Sequence, residues 1–450
     1  MKIRSIIKFA IIILLYATSQ YANACTTGMS WLDNGQIKLG ANLQIGGAIT
    51  YIAESKDGVN VINSHDWGRQ VQMSFYCGPN PFIPNGKEPR PAWKYLGWNP
   101  IQSGDCYGNQ SKVIEHKNDG KSIYLKCIPM HWPLENQPGE CTFECWYTLK
   151  GRTVQIRSRI NNKRSDKTQY TARSQELPAV YTNGPFHKLM TYAGDQPYTN
   201  GALKEIPKQD HTNGIRWAHW SATENWAALV NDDDWGLGVW HPGVYSFIGG
   251  FAGKPGKGGP KDSPTGYIAP LHQDILDHNI QYEYRYVLIL DSLQNIRKHI
   301  YKNAPSLTPP QYIFQKDRQH WVYKNAHDAG WPIQNQLKIT ADGPAMQLIG
   351  PQNFWKADKN HKLILDAEII TAGGKTGTSA RIYWKTSTDN KFSADKSIAY
   401  QWPPAQGSSK HVIDIGKAPG YQGNITGLRI DPFANSQKGD AINLKSILIK

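Results

Sequence analysis

The amino-acid sequence predicts an all-β protein, with a large antiparallel unit followed by a smaller C-terminal β-sandwich. Period-two alternation of apolar and polar residues dominates, and no long segment carries the 3.6-residue apolar spacing of an amphipathic helix. Clusters of Gly, Pro, Asn and Asp separate the alternating stretches, as turns between strands require. At 304–310 prolines interrupt the pattern, and the 450 residues exceed the roughly 250–300 that one hydrophobic core organises. Two units are therefore expected, over 25–303 and 313–450, joined by a proline-rich linker at 304–312.

Taken from the N-terminus, Lys2, Arg4 and Lys8 precede an apolar run from Phe9 to Tyr16, and Ala22-Asn23-Ala24 forms a small-x-small cleavage site. That is the layout of an export signal over 1–24, so a secreted or periplasmic protein is expected. The run is too short to span a bilayer, and no later segment is apolar enough. In 153–160, Val154, Ile156 and Ile160 share one face of a strand while Gln155, Arg157 and Arg159 share the other. Similar strands are predicted over 122–127, 143–149 and 282–290. The segments 226–230 and 237–240 read as a hairpin joined through the turn-forming Asn231-Asp232-Asp233-Asp234. Long loops rich in Gly, Pro and Asn, notably 78–100 and 250–264, are of the kind that carries function on a β scaffold. Beyond the linker, short strands are predicted at 345–349, 363–369, 381–384, 411–415, 425–430 and 442–449.

Composition narrows the partners. The chain has 16 Trp and 23 Tyr against 11 Phe. Rings with a polar handle suit surfaces that pack on one side and meet a ligand on the other. Sugars present such ligands, although core packing is the ordinary role of any one aromatic. The formal charge of +14 falls to +11 once the three leader cations are removed, and the cations are scattered without a Lys/Arg run. Nucleic acid is therefore not an expected partner. The six cysteines, Cys25, Cys77, Cys106, Cys127, Cys141 and Cys145, lack the Cys-x-x-Cys spacing of zinc sites, and in an exported chain they point to disulfides. Cys127 with Cys145 and Cys77 with Cys106 are the expected pairs.

Two stretches, Leu43-Gln44-Ile45-Gly46-Gly47-Ala48-Ile49 and Asp66-Trp67-Gly68-Arg69-Gln70, resemble parts of the galactose-mutarotase-like supersandwich. This large antiparallel fold is shared by sugar epimerases, some polysaccharide lyases and modules of glycoside hydrolases. The resemblance covers roughly residues 30–300. It implies that the first stretch is an opening strand at a sheet edge and that the second lines a concave sugar-binding face. The family's paired histidines for ring opening are not visible, which argues against simple mutarotation. Gly427-Leu428-Arg429-Ile430-Asp431-Pro432 and the closing strand resemble jelly-roll carbohydrate-binding modules, implying a jelly-roll-like second unit.

Among residues able to do chemistry, Arg69 offers a rigid donor fork and Gln70 a donor and an acceptor, with Asp66 placed to orient Arg69. Glu176, next to Arg173 and before the Tyr181-Thr182-Asn183-Gly184 loop, is the leading general acid or base. A salt bridge with Arg173 is its ordinary alternative. His241 could transfer protons, and His219, followed by Glu224, competes with it. Glycoside hydrolysis needs two carboxyl groups, and Glu176 could pair with Asp66, Asp105, Asp195 or Glu224. A polysaccharide lyase would instead use a base such as His241 or Tyr181 with Arg69 against a uronate. Trp93, Trp98, Trp132, Trp217 and Trp220 are candidate sugar platforms. No Walker loop, dinucleotide fingerprint, His-Glu-x-x-His or Gly-x-Ser-x-Gly occurs, and no cofactor or metal ligand set is visible. The expected function is cleavage of a glycan, hydrolysis ahead of elimination, with a non-catalytic glycan-binding protein as the alternative.

Overall fold

The alternating segments become strands, and their apolar faces decide how the strands stack. The computed structural model describes residues 28–56, 58–208, 217–373, 378–404 and 407–450. The expected export signal and Cys25 lie outside them. Among the described residues the protein is nearly all β, built from four antiparallel sheets. The 153–160 pattern sits in the strand Thr153–Asn162, with Val154, Ile156 and Ile160 buried as the alternation requires. The expected hairpin is the pair Trp226–Val230 and Trp235–Trp240.

The first sheet runs Met29–Asp33, Ile37–Asn42, Ala48–Glu54, Val71–Ser74, Arg173–Asn183, Thr265–Asp274, Ser246–Ala252, Ala218–Ser221. The second has the long strands Gln281–Ser292, Thr153–Asn162 and Cys141–Lys150 at its centre. Leu39, Ile49, Leu177 and Ile268 of the first sheet share a core with Leu125, Phe143, Ile156 and Leu288 of the second. Burying such side chains on both inner faces is what holds a sandwich together. The second pair of sheets encloses its own core, which includes Leu348, Leu365, Ile382, Ile430 and Ile447. Strand Gln311–Ile313 pairs with the closing strand Ala441–Ile449 directly after the proline-rich stretch.

Three findings depart from the sequence reading. A helix, Leu293–Lys302, is capped by Ser292, whose hydroxyl accepts from the Asn295 amide at 3.3 Å. It buries Leu293, Ile296 and Ile300 on the outer face of the second sheet, where Gly238 lets Ile296 approach so closely that a Cβ would lie 2.7 Å from it. Leu293, Ile296 and Ile300 stand at i, i+3 and i+7 behind a serine cap, a helical spacing that the sequence reading passed over because it runs for only ten residues directly behind a strand. The stretch 43–47 is a turn, and Met29–Asp33, not the strand beginning at Ala48, forms the sheet edge.

The disulfides are also corrected: all five described cysteines are free. Register explains the first pair, because Cys127 faces Phe143 while Cys145 faces Leu125, two residues along. The Cys145 Sγ lies 3.4 Å from the Met73 Sδ instead. Cys77 is turned inward, its sulfur accepting from the Arg164 guanidinium at 3.0 Å, while Cys106 stays in a loop.

Candidate functional site

On the strand Thr265–Asp274, Ile268 points into the core, so Tyr267 and Leu271 point to the outer face of the first sheet. There the long loops enclose a cavity of about 800 Å³. Its base is laid by three adjacent strands. Register places Glu176 opposite Ser74 on one side and Leu271 on the other, and Tyr181 directly opposite Tyr267. A bulge between Glu176 and Val180 shifts the register within this strand, a device that re-aims side chains.

Glu176 is part-exposed to the cavity and accepts from the Tyr267 hydroxyl at 2.5 Å. Burial raises its pKa, against hydrogen bonds from Tyr267, Ser74 and Tyr76 that favour the carboxylate. Burial and the nearby Glu176 carboxylate in turn push the phenols of Tyr76, Tyr181 and Tyr267 well above their ordinary range. Tyr76 and Tyr267 therefore remain hydrogen-bond donors to the carboxyl, and all three phenols stay protonated and are poor bases. Tyr181 stacks on Tyr267 at 4.7 Å between centroids, Trp217 leans on Tyr267 at 5.0 Å, and Trp93 meets Trp132 edge to face at 6.1 Å. The result is a carboxyl group among aromatic faces in a cavity of about 800 Å³.

The two arginines are both anchored. Arg69 pairs with Asp66 at 3.3 Å and donates to the Ser263 carbonyl oxygen at 2.6 Å. Arg173 donates to the carbonyl oxygens of Leu96 at 2.7 Å and Tyr95 at 3.3 Å, so its bonds fasten the 84–96 loop rather than Glu176.

Sequence-predicted residues thus divide into two groups. Asp66, Arg69, Arg173, Glu176, Tyr181 and His219 all line this one cavity, together with the platforms Trp93, Trp132 and Trp217. Among the described lining residues, Asp66 and Glu176 are the carboxylates. The others lie elsewhere. Gln70 is fully buried with φ of 120°, its amide donating to the Asp66 carbonyl oxygen at 2.6 Å. Trp98 is buried in the core. Asp105, 1% exposed, holds its own loop by accepting from the amides of Tyr107, Asn109 and Asn136. Glu224 is buried against Arg297 at 3.1 Å, Tyr301 at 2.7 Å and the Trp226 indole at 2.9 Å, beside the helix on the second sheet. Trp220 packs on Phe247 against the core. His241 lines a separate cavity, where burial lowers its pKa to about 4.

Sequence reasoning missed Tyr76 and Tyr267, whose hydroxyls bond Glu176. Alternation puts 74 and 76, and 267 and 271, on common faces, but only the register brings those faces together. In the second unit Trp321, Trp355, Trp384 and Trp402 are each 2% exposed or less, so they serve its core.

No protein-family model matches the chain, and no curated protein does. Among solved structures, a galactose mutarotase related enzyme from Lactobacillus acidophilus is similar at a TM-score of 0.35 and 13% identity, covering 59% of this chain and 97% of that one. A galactose mutarotase-like protein from Lactobacillus casei ATCC 334 gives 0.33 and 13%, covering 59% and 99%. A 4-alpha-glucanotransferase from Thermococcus litoralis gives 0.33 and 11%, covering 59% of this chain and 37% of that one.

Proposed function

We propose that the outer-face cavity binds a glycan and that Glu176 transfers a proton as the glycan is cleaved by hydrolysis. The observation that carries this reading is the carboxyl of Glu176, raised in pKa by burial and ringed by tyrosine hydroxyls in an aromatic-lined cavity of about 800 Å³. A carboxyl whose pKa is raised by burial is better suited than an ordinary glutamate to protonate a leaving glycosidic oxygen. Asp66 is the second carboxylate of the cavity, half-exposed and beside Arg69, and is assigned the water-activating or nucleophilic role. Tyr181, Trp217, Trp93 and Trp132 supply faces on which the C–H surfaces of sugar rings stack.

Hydrolysis is favoured over elimination for two reasons. The tyrosines that could act as base are held protonated, and the two guanidinium groups that could neutralise a uronate are fastened to backbone carbonyl oxygens. His219, exposed at the rim, is assigned to substrate contact. In this reading the chain is exported, and the second pair of sheets braces the first.

The test is incubation of the purified protein with neutral and acidic polysaccharides, following new reducing ends and the ultraviolet absorbance of unsaturated uronates together. Reducing ends without absorbance are expected, with turnover falling about 10²–10⁴-fold in Glu176→Gln while glycan binding persists. Undiminished turnover by that variant removes Glu176 from the mechanism. Binding without either signal on any glycan makes this a capture protein.

A further inference from the structure

A second cavity, of about 370 Å³, opens at the seam between the two pairs of sheets and is lined from both. His272 and Asp274 stand two residues apart on the strand Thr265–Asp274 and so share the face opposite Tyr267 and Leu271. His320 reaches them from the other side of the seam. It sits on a turn in which Gln319 and His320 both adopt left-handed backbone, with φ of 50° and 61°, a conformation disfavoured for side chains with a Cβ. The turn is held in place by the two residues before it. Asp317 accepts from the Gln319 amide at 3.0 Å, and Arg318 is fastened to Asp328 and, at 2.6 Å, to Asp277 across the seam.

The outcome is a compact group of donors. The imidazoles of His272 and His320 lie parallel, 4.1 Å apart with 7° between planes. The His320 Nδ1 is 2.8 Å from the Asp274 Oδ1, and the Tyr282 hydroxyl donates to the other carboxylate oxygen at 2.7 Å. One ligating atom from each of His272, Asp274 and His320 lies within 4.8 Å of the others. An independent observation points at the same space. His241 lines this cavity, is 7% exposed, and has both ring nitrogens buried without a hydrogen-bond partner. Its nearest polar neighbours are backbone groups of His241 itself and Pro242, neither placed for a well-formed hydrogen bond, so the imidazole has room for a ligand.

We propose that His272, Asp274 and His320 bind a divalent first-row transition-metal ion, with an open coordination position facing the cavity that His241 lines. Two imidazole nitrogens with one carboxylate oxygen form a donor set suited to zinc and its neighbours rather than to calcium or magnesium. Tyr282 fixes the carboxylate from behind, as outer hydrogen bonds do at metal sites. Tetrahedral ligand atoms around zinc stand about 3.3 Å apart, so the set closes from its present 4.8 Å span only if the stacked rings of His272 and His320 turn to aim their nitrogens at one ion. The ion displaces the proton shared by His320 and Asp274 to solvent, and no group is oxidised or reduced. His241 then supplies the hydrogen-bond partner of whatever fills the open position, water first. No sequence motif announces these ligands, because 272 and 274 lie far from 320 along the chain.

The experiment uses the full chain, stripped with a chelator and dialysed, then equilibrated with zinc chloride. Bound metal is measured by elemental analysis and Tm by calorimetry. About one zinc per chain and a Tm that rises with zinc are expected. His272→Ala and His320→Gln should each weaken binding by roughly 100-fold and abolish the Tm rise. His327→Ala, at an exposed ion pair with Asp342, should leave both unchanged. His320 is 41% exposed, so its variant tests the site even where His272→Ala does not fold. Folded wild type that binds far less than one zinc, or a His320→Gln variant that binds as tightly as wild type, overturns the proposal.

Discussion

As the acid proposed above, Glu176 is placed where two demands oppose each other. A carboxyl that donates a proton must be kept from ionising, which burial does, yet it must be held in one orientation, and the hydroxyls that orient it also favour the anion. Because the folded pKa is raised above the unfolded value, Glu176 adds stability at low pH that is lost as pH rises through its folded pKa. Replacing it by Gln removes that loss and keeps an acceptor for Tyr267. Glu176→Gln should therefore be at least as stable as wild type at pH 8 and inactive, a pairing that chemical denaturation beside a turnover assay would check. A variant that loses both together would make Glu176 a structural residue. The sequence made Glu176 and the Asp66–Arg69 pair legible, because a turn with an acid three residues before an arginine is a local pattern. The tyrosines around Glu176 were hidden, since which strand lies beside which is not written locally.

At the scale of elements, the helix Leu293–Lys302 explains why a residue that looks catalytic in sequence is structural. Its Arg297 and Tyr301 reach Glu224, which also accepts from the Trp226 indole and the Tyr198 amide. This carboxylate has no exposed surface and every partner comes from a neighbouring element. Removing one member of a buried, hydrogen-bonded charge pair leaves the other uncompensated, at a cost of about 3–5 kcal/mol. Glu224→Ala should lose about that much stability in urea denaturation, with turnover per folded molecule unchanged. A stable Glu224→Ala with lost turnover would return it to the chemistry. Strands were legible here because alternation is a strong periodic signal, as in 153–160. The helix was not, and with it went the partners that decide the role of Glu224. The expected Cys127–Cys145 bridge failed on the same kind of information: a register of two residues separates strands that the sequence correctly placed together.

The whole molecule is two cores joined by a seam, and the seam contains what one dimension hides best. Gln169 bonds both Asp277 and Asp328, Arg318 ties the same two carboxylates, and Ile275 packs into the second core. Within the first pair of sheets, His131 is buried between Phe82 and Trp98 with its Nδ1 unpartnered, and burial lowers its pKa from 6.5 to about 3. Below pH 6.5 the unfolded chain takes a proton at this position that the folded chain refuses. Stability is therefore lost as pH falls from 6.5 towards 3, by about 1.4 kcal/mol per pH unit for this one histidine. His241, lowered to about 4, acts in the same direction, while Glu176 acts oppositely by taking up a proton in the folded state. The net slope mixes these with other shifted groups, His272 and His320 among them, so the comparison that isolates His131 is with His131→Gln. In urea denaturation between pH 5 and 6, with chelator present, the slope of stability against pH should be smaller in the variant by about one proton, whatever its absolute stability. An unchanged slope would mean that His131 finds a proton acceptor in the folded protein and is not held neutral by burial.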